Sequence, residues 1–250
     1  MRLARTSGLT LLCAAWLCAA PASAHQPLIL TSAHTNASVS PIIADGTISY
    51  AVTAKLTQNS LNRTFRFFLN QGENLDVQYL ILDEKPENQL SISNLPSVSI
   101  VSPEGKAMTL KVNERTSFFE PFSKKKYLYL SRINQIGQGG IYTVTIKGKR
   151  ASSVVIAVGS QEIRGEVLSI GKKRGECPVT DLNRKEISRS LAEQLLGMSE
   201  RAATACASAL SWTSRVVARN GEDYAVTMDY SNVRINFKIN NDKVSEVSVG

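Results

Sequence analysis

The sequence predicts an all-β sandwich followed by a small α+β domain. From residue 25 to about residue 168, short runs alternate polar and apolar residues, as half-buried strands do. After Lys172 the apolar residues recur at the four-residue interval of a helix. The charge also divides: residues 175–250 hold nine Lys/Arg and ten Asp/Glu, or −1, whereas residues 25–174 hold +7. We expect a β-sandwich domain over 25–170, a linker and helix over 171–198, and the α+β domain over 199–250.

The first 24 residues are expected to be removed before the protein folds. Arg2 and Arg5 precede an apolar run that is too short to cross a bilayer. Residues 22–24 have the small side chains of a secretory cleavage site. This signal peptide (residues 1–24) predicts an exported protein, periplasmic or extracellular, with no transmembrane segment. Without Arg2 and Arg5 the net charge falls from +8 to +6.

The strands of the β-domain are predicted from two kinds of apolar pattern. Residues 46–52, 63–67 and 140–146 alternate polar and apolar side chains, which predicts strands with one buried face. Residues 75–82 and 154–158 contain continuous apolar stretches, which predict strands covered on both faces. Glycine, proline and asparagine separate these runs, as in turns. Many short strands without a helical stretch indicate a sandwich.

Two helices are predicted at the start of the second part. Thr180 or Asp181 can cap the first helix. Its apolar face recurs every four residues, and Gly197 ends it. This face consists of Ile187, Leu191 and Leu195. Ser199 can cap the second helix, which has a small apolar face and is followed by strands over 215–219, 233–239 and 244–249.

Two cysteines, Cys177 and Cys206, remain after the signal peptide. In an oxidising compartment an even pair is expected to form a disulfide. A loop of this length stabilises a fold by about 3 to 4 kcal/mol in the chain-entropy model. A reactive thiol is the alternative, but the histidines that could activate it, His25 and His34, lie far upstream.

Near its end the chain combines a loop with two polar residues on the strand that follows. These two residues are Arg234 and Asn236. The loop consists of Val226, Thr227, Met228, Asp229 and Tyr230. Together with the helix entry at 197–199 and the order helix, strand, loop, strand, strand, this string resembles the potato inhibitor I fold. It is most similar to the bacterial and fungal peptidase inhibitors of that fold, over roughly residues 196–250.

The resemblance implies a serine-protease inhibitor whose reactive bond is Met228–Asp229. Met228 would fill the specificity pocket of the protease, and Thr227 and Asp229 would bond inward to the following strand. Their supports there would be Arg234 and Asn236. A methionine suits an apolar pocket, so the expected partners are subtilisin-, chymotrypsin- or elastase-like serine proteases. Asn236 stands where the plant inhibitors have a second arginine, which predicts a less rigid loop.

The β-domain has features of its own. Its residues 119–122, 140–144 and 157–162 resemble the β-sandwich modules found beside secreted bacterial peptidases. Basic runs occur at 124–126 and 147–150 within this domain and at 172–174 just after it. These runs would favour an anionic surface such as lipid headgroups or polysaccharide, but a solvated basic face is the simpler explanation. A second function is therefore a non-enzymatic cell-envelope binding module in which the inhibitor fold is structural.

An enzyme is the third class considered, and the sequence offers it little. It contains no Gly-x-Ser-x-Gly elbow, no histidines spaced as metal ligands and no phosphate-binding glycine loop. We therefore expect no catalytic residues, no metal and no cofactor. The basic runs lack interleaved aromatic residues, so nucleic acid is not an expected partner. After signal cleavage, His25 would carry the terminal amine, and with His34 it forms an alternative copper site.

Overall fold

The computed structural model describes residues 25–179 and 186–250. The predicted signal peptide and the predicted helix caps Thr180 and Asp181 lie outside these residues. Short 3-10 turns occur at Ala37–Val39, Glu87–Gln89, Ile92–Asn94 and Glu193–Leu195. The strands and helices are β1 (Gln26–Leu30), β2 (Ile42–Ile43), β3 (Tyr50–Leu56), β4 (Asn62–Leu69), β5 (Asn74–Leu82), β6 (Ser97–Val101), β7 (Ala107–Thr109), β8 (Thr116–Glu120), β9 (Lys125–Ile136), β10 (Gly140–Lys147), β11 (Ser152–Val158), β12 (Val167–Leu168), β13 (Ile170–Gly171), β14 (Cys177–Pro178), α1 (Arg189–Ala192), α2 (Glu200–Ala209), β15 (Thr213–Arg219), β16 (Glu222–Asp223), β17 (Arg234–Asn240) and β18 (Lys243–Val249).

Two six-stranded sheets form the first part of the chain. Sheet A has the strand order β1-β3-β11-β5-β9-β8, and sheet B has the order β12-β2-β4-β10-β6-β7. Alternate residues of both sheets meet in one hydrophobic cluster, which includes the buried side chains of Val52, Phe65, Tyr79, Val144 and Ile156. The predominantly β structure with few helices is confirmed, since the period-two pattern buries one face of each strand.

Strand β3 starts later than predicted because a local turn precedes it. The sequence pattern begins at residue 46, whereas β3 begins at Tyr50. The Asp45 Oδ1 atom accepts hydrogen bonds from the backbone N–H of Thr47 at 2.9 Å and from its hydroxyl at 2.7 Å. An aspartate that bonds the backbone two residues on competes with strand pairing. The chain therefore turns at 45–47 and joins the sheet only afterwards.

A four-stranded sheet dominates the last part of the chain. Its order is β16-β15-β17-β18, with β15 parallel to β17 and β17 antiparallel to β18. Helix α2 begins as predicted, because the Ser199 hydroxyl accepts the Ala202 N–H at 3.2 Å. Asn241 and Asp242 connect β17 to β18 with φ angles of 48° and 58°. Two left-handed residues form the type I′ turn that matches the twist of a hairpin.

The first helix is shorter than the sequence predicts within the described residues. Helix α1 continues into the 3-10 turn at Glu193–Leu195, and Leu195 is fully buried. Ile187 is also buried, but it precedes α1 and donates its N–H to the Asn232 oxygen at 2.9 Å. Its backbone is thus paired with the segment before β17 instead of with a helical turn. Gly197 ends this region with a φ of +85°.

The predicted disulfide is confirmed. Cys177 and Cys206 are joined by an S–S bond of 2.05 Å, and both residues are fully buried. The bond links strand β14 to helix α2. It fixes the segment that leaves the sandwich to the helix that supports the final sheet.

The outer face of sheet B packs against the last part of the chain. Ile42, Ala44 and Phe68 belong to the same hydrophobic cluster as helix α2 and strand β17. The Arg201 guanidinium lies 5.0 Å from the centroid of the Phe68 ring. It donates to a carboxylate oxygen of Asp45 at 2.9 Å and to one of Glu73 at 3.0 Å. Apolar burial and one ionic network therefore hold the two parts together.

Candidate functional site

The loop at residues 224–233 follows from the parallel pairing of β15 with β17. Two parallel neighbours run in the same direction, so the chain must travel back along their length before the second strand begins. Residues 224–230 are all exposed, and none of residues 224–233 has a positive φ. This loop contains the reactive segment predicted from the sequence, Val226, Thr227, Met228, Asp229 and Tyr230.

Met228 is the most exposed large apolar side chain described in this loop. Its relative exposure is 101%, so it contributes nothing to the hydrophobic core. The two neighbouring side chains behave differently, because Thr227 and Asp229 bond to each other and to arginines beneath the loop. A free apolar side chain thus stands between two restrained polar ones.

Arg234 holds the side of the loop that follows Met228. Its Nη1 donates to the Asp229 carboxylate at 2.5 Å, and its Nη2 donates to the Asp229 backbone oxygen. Its Nε donates to the backbone oxygen of Gly250 at 2.8 Å. The guanidinium is thereby fixed by Gly250, which follows strand β18, while it also contacts the loop. The contact with Asp229 is the one that the sequence predicts.

Arg215, on strand β15, holds the side of the loop that precedes Met228. Its Nη1 donates to the backbone oxygen and to the hydroxyl of Thr227, each at 3.3 Å. The same nitrogen lies 3.5 Å from an Asp229 carboxylate oxygen. The sequence analysis missed this residue. We call the contacts of Arg215 and Arg234 with the loop the arginine clamp.

Asn236 was expected to contact the loop directly, and in the described residues it does not. Its Nδ2 donates to the Gly250 oxygen at 2.7 Å, and its Oδ1 accepts from Arg215 Nε at 3.1 Å. Asn236 therefore orients an arginine that reaches the loop. The physical reason is its length: a buried amide cannot span the distance that a guanidinium spans, so it acts one contact further down. Asn236 is uncharged where the plant inhibitors have a second arginine, and Arg215 supplies that second cation instead.

Strand register shows how Arg215 could have been found. In the parallel pair, Thr213 lies opposite Arg234 and Arg215 lies opposite Asn236. Arg215 and Arg234 consequently project on the same side of adjacent strands, two residues apart in register. The sequence gives the two strands but not whether they are parallel or how they are aligned.

The remaining loop residues are exposed or face the edge of the sheet. Val226 is 39% exposed and Tyr230 is 75% exposed. Tyr224 donates its N–H to the Val217 oxygen at 2.8 Å, and its hydroxyl accepts from Arg219 Nε at 3.3 Å. Tyr224 thus anchors the start of the loop, whereas Val226 and Tyr230 are available for contact.

The arginine clamp determines the ionisation of Asp229. The hydrogen bond from Arg234, followed by that from Thr227, lowers the pKa of the Asp229 carboxyl well below its usual value. Asp229 is therefore ionised at neutral pH, and its bonds to arginine are charge-assisted.

Within residues 25–179 and 186–250, no group of three or more His, Cys, Asp or Glu side chains could hold a metal ion. The two histidines have separate partners. The His25 ring bonds to the Ser49 hydroxyl, and His34 Nδ1 accepts the Thr31 N–H at 3.2 Å. In the same described ranges no helix is long and apolar enough to cross a membrane.

Away from the loop, the outer face of sheet A contains a concave surface with a cavity of about 260 Å³. Phe118, Tyr127 and Tyr129 line it, and Phe122 at its rim is 78% exposed. After Ser123 the chain continues with three exposed lysines, Lys124, Lys125 and Lys126. We call Phe122 with these three lysines the basic turn.

The comparisons with known proteins are distant. No protein-family model matches the chain, and no curated protein matches its sequence. Among solved structures, the pre-peptidase C-terminal domain of a collagenase from Bacillus anthracis aligns over 54% of this chain and 94% of its own length, with 6% identity and a TM-score of 0.30. The Drosophila NLP core aligns over 48% of this chain and 98% of its own length, with 16% identity and a TM-score of 0.24. Likenesses of this size do not bear on function.

We predict that Arg234→Gln raises the pKa of Asp229 towards the ordinary aspartate value of about 3.9. A lowered folded-state pKa gives stability that is present above the ordinary value and is lost as the pH falls through the folded-state pKa. The clamp of the parent protein should therefore stay ionised at every pH above about 4. The measurement is a carbon NMR titration of the Asp229 carboxyl. Thr227→Val should give a smaller rise, and an ordinary pKa in the parent protein would contradict the geometry.

Proposed function

We propose that residues 199–250 form a serine-protease inhibitor domain of the potato inhibitor I type, closest to the bacterial and fungal inhibitors of that fold. The observation that carries this proposal is the fully exposed Met228 between two residues that the arginine clamp restrains. The order α2, β15, loop, β17, β18 supports the same fold. The resemblance rests on residues and element order.

The clamp explains how such a loop resists hydrolysis. The protease serine attacks the Met228 carbonyl carbon, the Met228–Asp229 bond breaks, and the Asp229 nitrogen leaves as an amine. Arg234 holds Asp229 by its carboxylate and by its backbone oxygen, so the new amine stays beside the acyl-enzyme. The amine attacks the acyl-enzyme ester, re-forms the peptide bond and releases the serine hydroxyl. This reaction is faster than hydrolysis of the ester by water. A restrained loop also loses little conformational entropy on binding.

Met228 determines which proteases bind. An unbranched apolar side chain fits the apolar pockets of subtilisin-, chymotrypsin- and elastase-like enzymes. In a trypsin-like enzyme it would leave the acidic group of the pocket unpaired. The confirmed disulfide, Cys177–Cys206, supports an oxidising compartment, periplasmic or extracellular, as the place where the inhibitor acts.

The full chain should inhibit subtilisin or chymotrypsin with one-to-one stoichiometry, and Met228→Arg should shift its preference to trypsin. The shift should be about a hundredfold or more, because the new guanidinium pairs with the acid of the trypsin pocket. The measurement is titration of each protease with a chromogenic substrate. Asn232→Arg, which adds the same charge elsewhere in the exposed loop, should leave the preference unchanged. The proposal would be refuted if the protein at micromolar concentration inhibited neither subtilisin nor chymotrypsin.

Removing the clamp should convert the inhibitor into a substrate. In Arg215→Ala and Arg234→Ala, we expect cleavage at Met228–Asp229 to be at least about tenfold faster, because each change removes charge-assisted bonds on one side of the reactive bond. Mass spectrometry of protein incubated with subtilisin gives the site and the rate. Lys238→Ala, on β17 but paired with Glu246 away from the loop, is the matched control. Clamp variants that stayed intact and inhibited fully would show that the clamp is dispensable.

A second candidate function, binding to an anionic cell-envelope surface through the β-domain, is favoured by the basic turn. Three exposed lysines follow an exposed phenylalanine that can enter the headgroup region. In this reading the inhibitor fold is structural, and the β-domain either acts alone or places the inhibitor at a surface. The β-sandwich modules beside secreted peptidases, to which the sequence shows a resemblance, are compatible with such a placement.

We expect the chain to bind phosphatidylglycerol vesicles in a salt-sensitive manner if the basic turn docks on a membrane. Replacing Lys124, Lys125 and Lys126 by Glu should weaken binding by about a hundredfold or more, at about 1 kcal/mol per lysine near an anionic surface. Sedimentation with vesicles at low and high salt measures this. Phosphatidylcholine vesicles and the variant Met228→Gly are the controls. Equal sedimentation of the lysine variant and the parent would exclude the basic turn as the docking surface.

A further inference from the structure

A cleft of about 240 Å³ lies where the outer face of sheet B meets the end of helix α2. Strands β4 and β10 form its floor with Arg66, Ile141 and Thr143. Arg66 and Thr143 lie opposite each other in the antiparallel pair. Val179 and Leu210 are among the residues of its walls. The cleft is thus formed by both parts of the chain.

Arg66 lines this cleft and is poorly paired. Its relative exposure is only 6%, and within the described residues its side chain makes one hydrogen bond, from Nη2 to the backbone oxygen of Ser40 at 3.3 Å. Its buried Nε has no partner among the described residues. Burial lowers the pKa of Arg66 to about 10, so the side chain remains a cation at neutral pH. A buried charge without a counterion is costly, which makes this arrangement unusual.

Two other arginines, one buried and one partly buried, show how this fold pairs a cation. Arg201, also facing the contact between the two parts, bonds to the carboxylates of Asp45 and Glu73. Arg63 lies three residues before Arg66 on β4. It donates to oxygens of Lys55, Ser60 and Asn62. Arg66 has neither kind of arrangement in the described part of the chain. Residues 25–179 and 186–250 therefore provide no carboxylate for Arg66.

The end of helix α2 supplies little compensation for this charge. A helix C-terminus has a partial negative charge carried by its last carbonyl groups. Three of these carbonyls, those of Cys206, Ala207 and Ser208, already accept hydrogen bonds from the N–H of Leu210, Ser211 or Trp212. Arg66 lines the cleft, and its Nη1 makes no hydrogen bond within the described residues, so it can donate to an oxyanion.

We propose that this cleft binds a monocarboxylate with a short apolar body, its carboxylate paired with Arg66. One buried cation balances one negative charge, and a guanidinium matches the geometry of a carboxylate. Ile141, Val179 and Leu210 provide apolar surface for the rest of the ligand. Thr143 and Ser208 also line the cleft, and their hydroxyls can donate to the second carboxylate oxygen. The proposal is independent of the loop and of protease inhibition.

The test uses hexanoate as the probe and the full chain as the receptor. We expect a dissociation constant of roughly millimolar, in keeping with the efficiency of small ligands. The readout in the parent protein is the Arg66 Nε–H NMR resonance, which should shift on saturation. Hexan-1-ol, which lacks the charge, should not shift it, and inorganic phosphate should bind at least about tenfold more weakly than hexanoate because a dianion exceeds the single cation.

Two variants separate the charge from the space. Arg66→Gln should weaken hexanoate binding by at least about tenfold, since it removes the charge-assisted pair. Ala209→Trp retains Arg66 but fills the cleft, so it should abolish binding. It tests the site independently of whether Arg66→Gln folds. Both variants should inhibit proteases as the parent does. An Arg66 resonance that hexanoate leaves unmoved would overturn the proposal, as would equal binding of hexan-1-ol or tighter binding of phosphate.

Discussion

The parallel pairing of β15 with β17 is the constraint on which the candidate site depends. Antiparallel neighbours can be joined by a two-residue turn, as β17 and β18 are, but parallel neighbours require a long return connection. The loop at 224–233 is that connection, and its apolar side chains, Met228 above all, are exposed instead of packed in the core. The same pairing places Arg215 and Arg234 on one side of adjacent strands, directly beneath it. One choice of strand direction thus creates both the exposed loop and its support.

The shared core between the two parts of the chain makes the support rigid. Helix α2 packs against the sheet on one side and against Phe68 and Ile42 of sheet B on the other. The disulfide and the Arg201 network fasten this helix at two points. The side chains beneath the loop therefore project from strands that cannot shift without disturbing the sandwich. The loop can be exposed because the strands beneath it belong to a buried core.

Sequence reasoning succeeded where the determining contacts are local. Alternation located β4 and β10, continuous apolar stretches located β5 and β11, and a serine before a small-residue stretch located the start of α2. The Asp229–Arg234 contact spans five residues and was also predicted. Arg215 was missed because its role depends on register between strands that are 21 residues apart at this point, opposite Asn236. The cover on sheet B was missed because the alternation at 63–67 predicts one buried face, whereas residues 63–69 are all buried.

The clamp contributes differently to folding and to binding. In the free protein Asp229 is half exposed, and a solvated ion pair of this kind adds little to the stability of a fold. In the proposed complex, a protease that closed over Met228 would remove water from the same contacts, and charge interactions strengthen as the effective dielectric falls. The arginines are already positioned by Gly250 and Asn236, so this strengthening requires no rearrangement. In the proposed inhibitory complex, interactions that are weak in the free chain would thus become strong and would keep the two sides of the proposed reactive bond together.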